Sequence, residues 1–214
     1  MEIKLGEKAG KKIPLYVDGE LTGSLYPKEI NTYSLEDECE ISESEYERII
    51  EETLLPRAKR YVMNLLVKSD KTEAELKRKL RQAGYGDIIA EGALEYVRSF
   101  HYIDELRTAE SFIRTKMDCS SEKEIRYKLS EKGISEETID MAYDQFAEVE
   151  NTELKAAENF IRKKLGTRLS MVTDDENEDI LPYEEKQKLM AAAFRKGFRQ
   201  DSIRTALKNL NVDT

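Results

Sequence analysis

The sequence predicts a mainly α fold: an elongated tandem array of three-helix repeats behind an N-terminal β-hairpin and a short helix. Three observations predict it. First, the stretches around Gly84, Gly133 and Gly197 share one register. Four residues before the glycines stand Leu80, Leu129 and Ala193, and eight before stand Leu76, Ile125 and Leu189. Nine after come Ala93, Ala142 and Ala206, and thirteen after come Val97, Phe146 and Leu210. Upstream, Ala58, Ala109 and Ala157 each lead an aromatic–aliphatic pair, Tyr61-Val62, Phe112-Ile113 and Phe160-Ile161. Recurrence at this scale marks a repeat architecture. Second, the apolar residues between these landmarks fall at helical spacing. Third, the opening residues alternate with a period of two instead.

Taken in order, Ile13, Leu15 and Val17 alternate with Pro14, Tyr16 and Asp18, as a half-buried strand does. Asp18-Gly19 supplies the positive-φ pair of a tight turn, and Glu20 to Tyr26 forms the return strand. A hairpin alone is marginal in water, so this one packs on the helices behind it. Ser42-x-x-Glu45 is a capping box for a short helix running to about Thr53. Pro56 suits the first turn of the next helix.

The repeats follow. In the first, Ala58, Tyr61, Val62, Leu65 and Leu66 make one apolar stripe. Thr72-x-x-Glu75 caps a second helix, which Gly84 ends in the left-handed conformation. A third helix runs from about Asp87 to Phe100. In the second repeat Ala109, Phe112, Ile113 and Met117 form the first stripe, and the capping box Ser121-x-x-Glu124 keeps the offset of Thr72 from its glycine. The third starts with Ala157, Phe160, Ile161 and Leu165. An acidic insert over 173–184 interrupts it and predicts a mobile loop. The pattern resumes at Lys188-Leu189. The domains are therefore residues 1–56, then repeats over 57–100, 101–150 and 151–214.

Composition narrows the function. The net charge of −9 is unevenly placed: the four domains carry −8, +4, −6 and +1 in order. A protein that only coats nucleic acid would be basic overall. This balance suits a protein partner, or a nucleoprotein of mixed charge. No apolar run reaches about 18 residues, so no membrane helix is expected, and the first residues lack the apolar core of a signal peptide. Cys39 and Cys119 are isolated thiols that suit the reducing cytoplasm. With His101 as the single histidine, a His-based metal site or a Cys–His pair is disfavoured. Asp174-Asp175 and Glu178-Asp179 lack the spacing and glycine of a calcium loop. Neither a phosphate-cradling loop nor a nucleophile–base arrangement stands out. The expectation is a non-enzymatic protein without cofactor.

Basic residues recur around each glycine turn: Lys77, Arg78 and Arg81; Arg126, Lys128 and Lys132; Arg195, Lys196 and Arg199. They are the candidate partner-binding residues, a basic strip for acidic patches or phosphates. The same residues are ordinary on a solvated helix face, and the sequence leaves both readings open. Tyr85, Ile134 and Phe198, each following a glycine, are expected to anchor the turns. Asp104 is expected to cap the helix that opens the second repeat.

The stretch Tyr102-Ile103-Asp104-Glu105-Leu106-Arg107-Thr108-Ala109-Glu110-Ser111-Phe112 is similar to the apolar–Asp–acidic–x–x–x–Ala–x–x–aromatic signature of the RecX family, bacterial regulators of the RecA recombinase. Glu124 to Ile134 resembles that family's second-repeat helix and turn, and Glu75 to Leu80 holds the same place in the first repeat. The resemblance covers 57–147 well and 153–210 more loosely, and the front resembles an extension found in many Gram-positive members. It departs at Asp118-Cys119-Ser120-Ser121, where the family often carries a glycine, and in the acidic insert. The resemblance implies a monomeric, cytoplasmic protein that lies in the groove of a RecA–single-stranded DNA filament and restrains its ATP hydrolysis and strand exchange, and it leaves open a weak direct contact to DNA. The alternative is a direct DNA-binding protein whose repeats act as helix-turn-helix units, and a third is a helical scaffold for an unrelated partner.

Overall fold

Strand β1 (Ile3–Leu5) lies antiparallel to β2 (Ile13–Val17), with Ile3 opposite Val17 and Leu5 opposite Leu15. Through the Asp18-Gly19 turn, β2 pairs in turn with β3 (Glu20–Leu25). The expected hairpin is thus a three-stranded sheet in the order β1-β2-β3. The first strand escaped notice because three residues are too few for a period of two to declare itself. This is a computed structural model describing residues 1–146, 152–166 and 181–210. It divides into two compact units, Met1–Glu105 and Leu106–Thr214.

In the first unit, alternation along the strands buries Ile3, Leu15, Val17 and Leu25 on one face. The ladder slips between Leu15 and Tyr16, whose partners are Gly23 and Leu21, so Thr22 is the extra residue of a bulge. Its carbonyl is free of the ladder and accepts from Gly86 N at 3.0 Å. Behind the sheet, α1 (Pro27–Thr32) was not foreseen. Pro27 opens it, and Glu29 Oε2 accepts from Tyr26 N at 2.8 Å. Helix α2 (Glu43–Ile49) has the expected capping box, with Ser42 N donating to Glu45 Oε2 and Glu45 N to Ser42 Oγ.

The chain does not stop at Thr53. A π-helical segment, Ile50–Leu54, carries it into α3 (Leu55–Lys68). Pro56 has no N–H to give, and the wider turn accommodates the missing bond. Helices α4 (Glu73–Gln82) and α5 (Asp87–Ser99) complete the first repeat. Sheet, α2, π segment and repeat share one apolar core, which joins Leu15 and Leu25 to Leu54, Val62, Leu80 and Leu94. The front of the chain is therefore packed on the first repeat, as a marginal hairpin requires.

The second unit contains α6 (Glu105–Lys116), α7 (Glu122–Glu131) and α8 (Glu136–Asp144), then α9 (Thr152–Leu165), α10 (Tyr183–Arg195) and α11 (Gln200–Asn209). Each trio has its own core, one around Ile113, Ile125 and Leu129, the other around Ile161, Phe198 and Leu207. Of the acidic insert, 173–180 lies outside the described residues. Tyr183 and Glu184 already belong to α10, so the helix resumes five residues before Lys188. Glu184 and Glu185 in its first turn complement the positive end of the helix dipole.

The repeat register is a packing register. Ala58, Ala109 and Ala157 are fully buried, as are Leu80, Leu129 and Ala193, and Ala93, Ala142 and Ala206. Gly84, Gly133 and Gly197 have φ of 82°, 84° and 88°, where a side chain would be strained. In all three turns the next residue's N–H closes onto the carbonyl four positions before the glycine: Tyr85 to Leu80, Ile134 to Leu129, Phe198 to Ala193. Tyr85, Ile134 and Phe198 are buried as turn anchors.

Candidate partner-binding surface

Helix α4 lies against α5 so that an ion-pair ladder closes their seam. Arg81 Nε donates to Asp87 Oδ1 at 2.9 Å, Lys77 Nζ is 4.0 Å from Glu91 Oε2, and Arg98 bridges Glu73 and Glu91. The Arg81 bond holds the Asp87 carboxyl below its usual range, and Arg98 does the same for Glu73. Lys77 and Arg81, one helical turn apart, both serve this seam. Arg78 is exposed, with no carboxylate of the described residues at ion-pair distance.

In the second unit Arg126 is the most engaged cation of the predicted set. Its side chain is 27% exposed and reaches Glu122, Glu136 and Asp140 at 2.7–2.8 Å. Its guanidinium also lies 4.7 Å from the centroid of the Tyr143 ring. Burial opposes its charge, yet the three carboxylates raise its affinity for the proton. Lys128 Nζ and Lys196 Nζ both reach Glu124 Oε1, at 2.8 and 3.2 Å. Partial burial works against the Glu124 charge, but these two cations keep its carboxyl below the usual range. Lys132 lies over the Phe112 ring, and Arg195 is exposed without a carboxylate among the described residues at ion-pair distance.

The Ser121 cap differs from expectation. Ser121 Oγ accepts from Glu124 N at 3.1 Å, but the Glu124 carboxylate goes to Lys128 and Lys196. Ser121 Oγ meanwhile donates to Lys196 O at 2.6 Å, so the start of α7 seats the third glycine turn. Arg199 is held inside the third repeat, by α9. Its N–H and its Nε reach the two oxygens of Glu153, at 2.8 and 2.6 Å, and that carboxylate caps the start of α11. The sequence could not show this, because partners 46 to 75 positions apart leave no local spacing signal.

The structure therefore brings Lys77, Arg81, Arg126, Lys128, Lys196 and Arg199 into ion pairs within the chain, and leaves Arg78 and Arg195 outside them. It also reveals unpaired cations that were passed over. From Leu55 to Ser69 the chain has Arg57, Lys59, Arg60 and Lys68 and no acidic residue. Arg57 pairs with Glu29, whereas Lys59, Arg60 and Lys68 have no carboxylate of the described residues in reach. The acid-free run was the available signal. Asp104 stands immediately before α6.

Two family patterns match the chain: RecX, first three-helix domain, over residues 58–96, and RecX, second three-helix domain, over residues 104–142. These spans fall on α3–α5 and α6–α8. A protein of Clostridium acetobutylicum called Regulatory protein RecX is 24% identical over 209 residues, covering 98% of this chain and 94% of the relative. One of Clostridioides difficile with the same name is 25% identical, covering 99% and 96%. Among solved structures, a crystal structure of regulatory protein RecX aligns with TM-score 0.61 at 20% identity, over 96% of this chain and 99% of the other. That of RecX from Lactobacillus salivarius aligns at 0.56 and 22%, over 74% and 97%. The structural likenesses bear on the fold, and the relatives reach almost from end to end. Two successive repeats thus match RecX domains in order, and the chain is similar along nearly its whole length to proteins called Regulatory protein RecX.

Proposed function

We propose that this chain is a non-enzymatic regulator of RecA that binds the RecA–single-stranded DNA filament and damps ATP hydrolysis and strand exchange. The observation that carries the reading is the triple repeat register, two copies of which match RecX domains. Repeats over 57–100, 101–150 and 151–214 offer successive subunits of a polymer similar contacts. Several weak contacts on one chain add through effective concentration. The chain acts as a monomer in the cytoplasm and needs no cofactor.

The nine predicted cations divide by what holds them. Arg78 and Arg195 are free to meet a carboxylate or phosphate of the filament. Lys77 and Arg81 sit in exposed pairs, which are weak and screened by salt, so an outside anion can exchange for the internal one, whereas Lys128, Lys196 and Arg199 are held by the largely buried carboxylates of Glu124 and Glu153 and exchange less readily. Arg126 is the least exchangeable, and Lys132 is a further contact. The helix-turn-helix alternative is disfavoured by charge: the exposed face of α8 presents Glu136, Glu137, Asp140 and Asp144, which repel a phosphate backbone.

Retention of the chain on immobilised single-stranded DNA, with and without RecA and nucleotide, tests the partner. The reading requires strong retention that depends on RecA. Equal retention in its absence favours the DNA-binding alternative.

A further inference from the structure

We infer that the first unit carries a stacking site for single-stranded nucleic acid, formed by the ring ladder Tyr96–Phe100–Tyr102 beside the unpaired cations of α3. The rings come in sequence along one edge of the fold. Tyr96 and Phe100 meet edge to face with centroids 5.0 Å apart, and Phe100 and Tyr102 stack at 5.6 Å with their planes 15° apart. Such a ladder would ordinarily be covered, yet Phe100 is 53% and Tyr102 44% exposed. The turn after α5 produces it. His101 adopts φ 54°, Tyr102 N donates to Val97 O, and this left-handed reversal folds Tyr102 back beside Phe100.

Cations flank the ladder. Lys59 Nζ stands 4.9 Å from the Tyr96 centroid, and a Cβ on Gly92 would meet Leu55 at 3.0 Å. Helices α3 and α5 therefore advance together, four residues to four, and the next step brings Met63 level with Phe100. One step further along the same face is Val67, 82% exposed. Arg60 and Lys68 lie on the solvent side of this acid-free helix. Of the three acids of α5, Asp87 and Glu91 face α4, held by Arg81, Lys77 and Arg98, and Glu95 is exposed beside Tyr96.

Exposed rings with a π-face to offer, next to uncompensated positive charge, have the chemistry that binds a polyanion with unstacked bases. A duplex hides its base faces, so the occupant is single-stranded. The cations hold the phosphates while a base continues the ladder beyond Tyr102. This mode differs from a helix reading a groove, and it stands independently of RecA binding.

The test is fluorescence anisotropy of a labelled oligothymidylate with the full chain and no RecA. The expected result is binding that weakens with salt and is far weaker for an abasic strand of equal length. Phe100→Ala and Tyr102→Ala should each reduce affinity about five- to hundredfold, Phe100→Tyr should retain it, and Lys59→Glu with Arg60→Glu should flatten the salt dependence. Both rings are exposed, so circular dichroism should show every variant folded. Absence of binding, equal affinity for the abasic strand, or wild-type affinity in the folded Phe100→Ala/Tyr102→Ala double variant would overturn the site. Should that variant keep its affinity for the oligonucleotide but lose RecA-dependent retention, the face belongs to a protein partner instead. Because RecA is absent from the first assay, failure here leaves the regulator reading standing.

Discussion

A methyl group on Gly86 would sit 1.9 Å from Leu21 O and 2.9 Å from Thr22 O, both backbone atoms of the bulged strand β3. No rotamer relieves such an overlap, so strand and helix must part. Gly86→Ala should cost at least about 3 kcal/mol, beyond ordinary overpacking, read as a fall in the urea midpoint. Gly84→Ala meets only the Ser24 hydroxyl at 3.1 Å, besides its strained φ, and should cost less. An equal loss at both positions would contradict the docking of β3 on this turn. The cations separate in the same way. Arg126→Ala removes three carboxylate partners and a ring contact, and should lower stability by about 1–3 kcal/mol. Arg78→Glu and Arg195→Glu should leave the unfolding midpoint unchanged while raising the concentration needed to restrain RecA. Full restraint by both reversals would remove the basic residues from the proposed contact.

At the level of elements, helix ends do much of the positioning. The Ser42 N–H and hydroxyl lower the Glu45 proton affinity, Arg98 lowers that of Glu73, and Glu124 is lowered by Lys128 and Lys196 against its partial burial. A carboxylate whose folded pKa is depressed contributes stability above its unfolded value, 4.5 for Glu, and loses it as pH falls through the lower folded value. The thermal midpoint should therefore be nearly level from about pH 7 to 5 and fall below about 4.5. A midpoint that rises on acidification would contradict these assignments. Much at this scale was legible beforehand: the capped helices, the three glycine turns and their buried anchors follow from spacing alone. Strand β1 and helix α1 were not, because three and six residues carry too little pattern. The π segment was missed because Pro56 fits a helix start as well as an insertion.

For the molecule as a whole, the repeats build separate cores, and the seams that join neighbours come from distant residues. Within the second unit, Ser121 and Glu124 both reach Lys196, which the sequence put forward for a binding strip, and so tie repeat two to repeat three, while Glu153 to Arg199 is a tie inside repeat three. Electrostatic spacing alone could not distinguish an internal tie from an outward contact, since both call for a cation beside a glycine turn. The acid-free α3 and the ring ladder after α5 are outward features that a search for repeats overlooks, because neither recurs. Among the described residues, no helix is long and apolar enough to cross a membrane.

Everything at this scale turns on whether the chain acts on a RecA filament. ATP hydrolysis by RecA on single-stranded DNA, followed while the purified chain is titrated in, measures that directly. The account predicts a rate that falls progressively with added chain and recovers partly with Arg78→Glu/Arg195→Glu. A rate that stays constant up to saturating concentrations of folded chain would contradict it.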